Sequence, residues 1–123
     1  MTFEKNRGIM SIEQQQLGNV HLIRVNGRLD HSQTPQLEDR LTHLLEAGHY
    51  FLVTDLTQTD YINSGGLRCL VSAWRKARQQ QGNLVLCGLN NRLQEIFNMV
   101  GFDKVFQIFP DYETARQTLR HPG

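Results

Sequence analysis

The sequence predicts an α/β fold: a mixed, mostly parallel β-sheet entered through an N-terminal β-hairpin and carrying four α-helices. Three observations lead there. After an opening pair of strand-like segments, strand and helix patterns alternate along the chain, the signature of parallel strands joined by right-handed crossovers. The runs Tyr50–Leu56, apart from Thr54 and Asp55, and Leu84–Cys87 are apolar in consecutive positions, as strands covered on both faces are. Between them lie segments whose apolar residues recur at helical spacing, such as Leu67, Leu70, Val71 and Trp74 at i, i+3, i+4 and i+7.

Taken in order, Met1 to Met10 is polar and without a period; it reads as a flexible extension or expression remnant. Ser11 to Gln16 is weakly strand-like, Leu17-Gly18-Asn19 signals a turn, and Val20 to Asn26 alternates, so the two runs form a hairpin. Gly27-Arg28-Leu29-Asp30 ends the second strand. A first helix follows, with Thr34 as N-cap and Pro35 as first helical residue, where its missing N–H costs nothing. Leu37, Leu41, Leu44 and Leu45 form its apolar stripe, and Gly48 stops it. The central strand then runs to Leu56, and Asp60 to Gly66 is a loop opening the second helix. Gly82-Asn83 turns the chain into the next strand. Asn90 or Asn91 caps a third helix whose stripe is Leu93, Ile96, Phe97 and Val100, ending at Gly101. Val105 to Phe109 is the last strand. Asp111 caps a final helix with Tyr112, Ala115 and Leu119 inward, and residues 120–123 form a flexible tail.

At 123 residues the chain suffices for one domain, assigned to residues 11–119. A domain of this size buries roughly two-thirds of its unfolded surface and folds without disulfide or metal staples. A net charge of +1 with interspersed signs gives no basic patch for nucleic acid. No run approaches the ~20 apolar residues of a membrane span. Cys69 and Cys87 lack CxxC spacing and lie in apolar segments, which favours buried thiols and a cytoplasmic location. The five histidines have no metal-ligand spacing, and no phosphate-binding or dinucleotide loop is present. His43 and His49 read as solvated residues at a helix end. The aromatic residues Trp74, Phe97, Phe102, Phe106 and Phe109 fall at core spacing rather than forming a base-stacking platform. A Ser64–His31–Asp60 triad is imaginable, since His31 can share the rim, but Ser64 lacks the glycine–any–Ser–any–glycine elbow of a hydrolase, so the chain is expected not to be an enzyme and to carry no cofactor.

The chemistry that remains is one hydroxyl at a helix start. Asn63 or Ser64 occupies the N-cap position of the second helix, followed by Gly65 and Gly66. A serine there lies beside unpaired backbone N–H groups and the positive end of the helix dipole, a place that accepts a phosphate. The two glycines are expected to leave that helix start uncovered, so that another protein can approach the hydroxyl. Asp30 follows the second strand and Asp60 to Gly66 the central one, so both belong to one rim of the sheet.

These pieces resemble the STAS family, named for sulphate transporters and anti-sigma factor antagonists. Gly27-Arg28-Leu29-Asp30 is similar to the family's glycine–any–Leu–Asp signature. Asn63-Ser64-Gly65-Gly66-Leu67 resembles its phosphorylation motif, and Leu93 through Phe109 its third helix and last strand. The resemblance spans residues 11 to 119 and implies the STAS-type fold. It further implies a single-domain anti-sigma factor antagonist that binds an anti-sigma factor with serine kinase activity and is released when phosphorylated. A metal-dependent serine phosphatase would restore it. Ser64 is then the phosphoacceptor, and Asp30 the signature acid that orients the serine loop or touches the kinase. His31, Asn63, Gly65, Gly66 and Leu67 complete the partner-binding loops. Such a protein need not dimerise, and a monomer is expected. Two positions depart from the family's pattern: Asn63 replaces an acid and Gly65 a second Ser or Thr. The same fold also serves as an unphosphorylated scaffold, a transport accessory or a ligand sensor.

Overall fold

The computed structural model describes residues 11–120; the expected extension and the last three residues of the expected tail lie outside them. Strands β1 (Ser11–Leu17) and β2 (Val20–Leu29) form the antiparallel hairpin. They are followed by α1 (Thr34–Glu46), β3 (Phe51–Asp55), β4 (Thr59–Ile62), α2 (Ser64–Gln79), β5 (Asn83–Cys87), α3 (Asn91–Met99), β6 (Ile108–Phe109) and α4 (Tyr112–Arg120). The sheet order is β1-β2-β3-β5-β6, and every pairing after the hairpin is parallel. The expected mixed, mostly parallel sheet with four helices is therefore present, with one strand more than the sequence suggested.

Period-2 alternation decides which helix each strand residue meets. Leu52, Leu84 and Leu86 face a large core shared with the leucines of α1, with Leu70 and Ala73 of α2, and with Leu93 and Phe97 of α3. Val53, Val85 and Cys87 face the other way, onto Ala115 and Leu119 of α4. Three helices thus cover one face and a single helix the other. Phe97 is fully buried and makes edge-on ring contacts with Phe102 and Phe106 at 6.4 and 6.1 Å.

The extra strand is β4. The sequence reading placed Asp60 to Gly66 in a loop, but Thr59–Ile62 pairs in parallel with the far end of β2, Leu29 opposite Ile62. β2 is ten residues long and runs past the end of β3, which leaves its last residues in need of a partner. The handover occurs at Gly27, where φ is 99° and the register shifts. Only glycine adopts that conformation without strain, and the bulge bends β2 away from β3 and toward β4. The Gly27 N–H donates to the Gln58 carbonyl at 2.9 Å, and the Thr59 hydroxyl donates to the Val25 carbonyl at 2.7 Å.

Three smaller expectations need correction. Thr34 is not the N-cap of α1: Gln33 is, without a side-chain bond, because the Thr34 hydroxyl donates back to the Asp30 carbonyl at 2.9 Å. Val100 is 50% exposed, since α3 ends at Met99 and the residue after it leaves the apolar stripe. Of the strand expected over 105–109 only Ile108–Phe109 pairs; Phe102–Lys104 is a 3-10 turn that swings Phe106 into the core instead. Of the two residues expected to cap α3, Asn90 does so and Asn91 does not, Asn90 accepting from Leu93 N at 2.8 Å; Asp111 caps α4 as expected, accepting from Thr114 N at 2.9 Å.

Because Phe97 joins α3 to the aromatic cluster and to the main core, Phe97→Ala should cost about 3–5 kcal/mol of stability, measured as a lowered urea midpoint with unchanged slope.

Candidate functional site

The site is built where β2, β4, α1 and α2 meet. Asn63 is the only residue between β4 and α2, and it ties sheet to helix twice. Its backbone N–H donates to the Leu29 carbonyl at 3.1 Å, and its side-chain Oδ1 accepts the Gly66 N–H at 3.0 Å. The alternative of Asn63 or Ser64 as the cap is thereby decided in favour of Asn63. Ser64 is the first residue of α2, exposed, and its hydroxyl takes no part in capping. The Leu67 N–H donates to the Asn63 carbonyl at 3.0 Å as the first helical bond. The N–H groups of Ser64 and Gly65 precede that bond and have no intrahelical acceptor. An anion on Ser64 therefore meets both the helix dipole and two backbone donors.

The two glycines differ in what they do. At Gly65 a Cβ would lie 3.5 Å from Asn63 Oδ1 and 3.9 Å from Thr34 Oγ1, ordinary contact distances, so a side chain fits. At Gly66 it would lie 2.9 Å from Ile62 Cγ1 and 2.9 Å from Leu29 Cδ2. Gly66 is buried, and its missing side chain lets α2 press against the ends of β2 and β4. Its role is close packing, not the uncovering of the hydroxyl that the sequence suggested. Leu67 is also buried and belongs to the main core.

Asp30 lies on the same rim, as the register of Leu29 against Ile62 requires. Its carboxylate accepts from the Ser32 hydroxyl at 2.8 Å and the Ser32 N–H at 3.1 Å, and its carbonyl accepts from Gln33 N and Thr34 N, both at 2.9 Å. The Ser32 hydroxyl, its N–H and the nearby charges of His31 and Arg28 hold the carboxyl below the usual range. Asp30 thus shapes the β2–α1 turn, while His31 is exposed on it. Asp60 is exposed on β4, one residue from Tyr61, whose ring lies 4.1 Å from the Arg28 guanidinium.

Sequence reasoning missed Arg28 and Tyr61, since nothing local announces that they share a rung. It also missed a groove of about 260 Å³ between α1 and α2, lined by Thr34, Glu38, Gly65, Arg68, Cys69 and Ser72. Cys69 and Cys87 are free and buried, and burial pushes the pKa of both thiols up to about 12. His49, expected in solvent, is half-buried and lies 4.1 Å from the ring of buried His21, whose basicity is lowered by burial and by His49. Among the described residues no group of three or more His, Cys, Asp or Glu side chains could hold a metal ion. None of the described helices is long and apolar enough to cross a membrane.

The sequence model of the STAS domain matches residues 11–115, which include every element of this site. The chain belongs to the STAS family. The anti-sigma-B factor antagonist of Listeria monocytogenes is 33% identical over 100 residues, spanning 80% of this chain and 88% of that protein. Among solved structures, an anti-sigma factor antagonist from Mycobacterium paratuberculosis superposes with a TM-score of 0.84 at 21% identity, covering 92% of this chain and 96% of its own. The phosphorylated form of the Bacillus cell fate determinant SpoIIAA superposes with a TM-score of 0.73 at 16% identity, covering 89% and 100%. These structural likenesses fix the fold of the STAS chain described here.

The contrast between the glycines is measurable. Gly65→Ser should leave the urea midpoint nearly unchanged. Gly66→Val should lower stability by about 1–3 kcal/mol, the usual cost of forcing extra methyl groups into a packed site.

Proposed function

We propose that this chain is an anti-sigma factor antagonist in a partner-switching circuit. Unmodified, it binds an anti-sigma factor that is also a serine kinase, and this holds the anti-sigma factor away from its sigma factor. The kinase transfers the γ-phosphoryl group of ATP to Ser64 Oγ, with loss of the hydroxyl proton and release of ADP, and the phosphorylated chain dissociates. A metal-dependent serine phosphatase hydrolyses the phosphate and restores the binding form. The chain is the substrate and binder in this circuit, working in the cytoplasm as a monomer, and not an enzyme itself.

The observation that carries this reading is the division of labour at the start of α2. Asn63 alone satisfies the cap, so the Ser64 hydroxyl is exposed and has no structural duty. A serine kept at a helix start without a capping role is available for chemistry. The kinship with an anti-sigma-B factor antagonist, at 33% identity over most of both chains, supports the partner class. The absence of an acid at position 63 fits as well. The neutral amide keeps the cap while adding no charge beside an incoming phosphate.

The release follows from electrostatics. A phosphoserine adds about −1.5 to −2 charges at neutral pH. On the free chain that charge is solvated and faces the positive end of α2. Pressed into an interface it must shed water and face the anionic nucleotide of the kinase. A thousandfold loss of affinity needs only about 4 kcal/mol. Asp30, already ordered by Ser32, and the exposed His31, together with Asn63 and Gly65, form the rest of the contacted rim in this reading.

The test is a paired capture from lysate of the source organism with Ser64→Ala and Ser64→Asp as baits, read by mass spectrometry. The alanine form should retain a serine kinase of the anti-sigma type, and the aspartate form should lose it. Equal recovery of one partner by both baits would make Ser64 a bystander and point to a constitutive scaffold.

A further inference from the structure

The outward face of α2 carries charge of one sign. Arg68, Arg75, Lys76 and Arg78 are all exposed, and the helix contains no acidic residue. Helical spacing places Ser64, Arg68, Ser72 and Arg75 on one stripe, at i, i+4, i+8 and i+11. Arg68 makes no ion pair within the described structure, whereas Arg24 and Arg116 do. Glu38 of α1 lines the α1–α2 groove together with Arg68, and no ion pair joins the two among the described residues.

We propose that Arg68 is the recognition residue, within this same chain, for a phosphate carried on Ser64. The proposal rests on Ser64 being the phosphoacceptor. Long side chains on a helix lean toward its N-terminus, here the turn that begins with Ser64, and Arg68 lines one groove with Gly65 of that turn. Residues four apart are neighbours, and an anion placed N-terminal to its cation is the favourable order. A phosphoserine presents three acceptor oxygens, and the planar guanidinium offers two parallel donors to such a group. The N–H groups of Ser64 and Gly65 approach the same phosphate from the helix axis.

The consequence is a self-satisfied phosphorylated state. The phosphate folds back over its own helix, and a partner that binds the unmodified rim must either break this clamp or accept a dianion with its cation attached. Glu38 tempers the clamp from the α1 side of the groove. Asp30 and Asp60, on neighbouring segments, add negative charge to the rim but no donor.

The experiment uses the full chain with phosphoserine installed at position 64 during synthesis, so no kinase is needed. The second ionisation of the phosphate is followed by phosphorus NMR at low salt. A cation beside the phosphate favours the dianion and lowers the midpoint, so Arg68→Gln should raise it by about half a pH unit. Arg68→Lys should fall between. Arg75→Gln, roughly 16 Å along the helix from Ser64 at 1.5 Å per residue, should leave the midpoint unmoved. Identical midpoints for the unsubstituted and Arg68→Gln chains would overturn the clamp, as would an equal effect from Arg75→Gln, which would show only diffuse charge. Because the phosphate is installed chemically, this outcome is independent of whether a kinase partner exists; failure of partner switching with an intact Arg68 effect would overturn the functional reading alone.

Discussion

Asn63 is the hinge pin on which the rest of the site depends. One residue supplies the backbone donor that closes onto the end of β2 and the side-chain acceptor that starts α2. Its two bonds fix the helix start relative to the sheet, and Gly66 draws the helix in against Leu29 and Ile62. The position of the Ser64 hydroxyl follows from these constraints rather than from any contact of its own. A side chain held in place by its neighbours and making no structural bond can gain a phosphate without loss of folding energy. Loss of an N-cap side chain typically costs about 1 kcal/mol, and this structure incurs none of that on modification of Ser64.

The same economy means that the proposed switch requires no rearrangement of the domain. The core is doubly covered, with three helices on one face and α4 on the other, and the site lies at the rim where strands end. Added charge at that rim changes the cost of burying the surface in a partner far more than it changes the surface itself. The α2 dipole, the orphan N–H groups and the cationic stripe that begins at Arg68 all favour phosphate on the free chain. Desolvation in an interface opposes it. In the proposed circuit both effects act in the direction of release.

Much of this was legible in the chain. The apolar stripes of α1, α2 and α3, the doubly buried β3 and β5, and the caps at Asn63, Asn90 and Asp111 are local patterns, and local patterns survive into the fold. What escaped was non-local. Thr59–Ile62 is too short to announce itself, and it is a strand only because β2 outruns β3 and bulges at Gly27. The turn at Phe102–Lys104 carries Phe106 onto Phe97 and, far away in sequence, onto Trp74 of α2. At the site, the spacing showed that Ser64 opens a helix and that Asp30 shares its rim. It did not distinguish Gly65, which has room for a side chain, from Gly66, which does not. That difference lies in the distance to two side chains on other strands. The turn-ordering bonds of Asp30 to Ser32 lay within reach of sequence reasoning, since an aspartate two residues before a serine is a common turn former.

The central claim is that phosphate at Ser64 acts locally. Backbone amide spectra of the free chain, with and without phosphoserine at position 64, test it most directly. The account predicts shifts confined to residues around Ser64 to Arg68, Leu29 to Asp30 and Thr34, with the amides of β3, β5 and α4 unmoved. Shifts spread through the sheet and α4 would contradict it, and would mean that the domain itself changes shape when the phosphate is added.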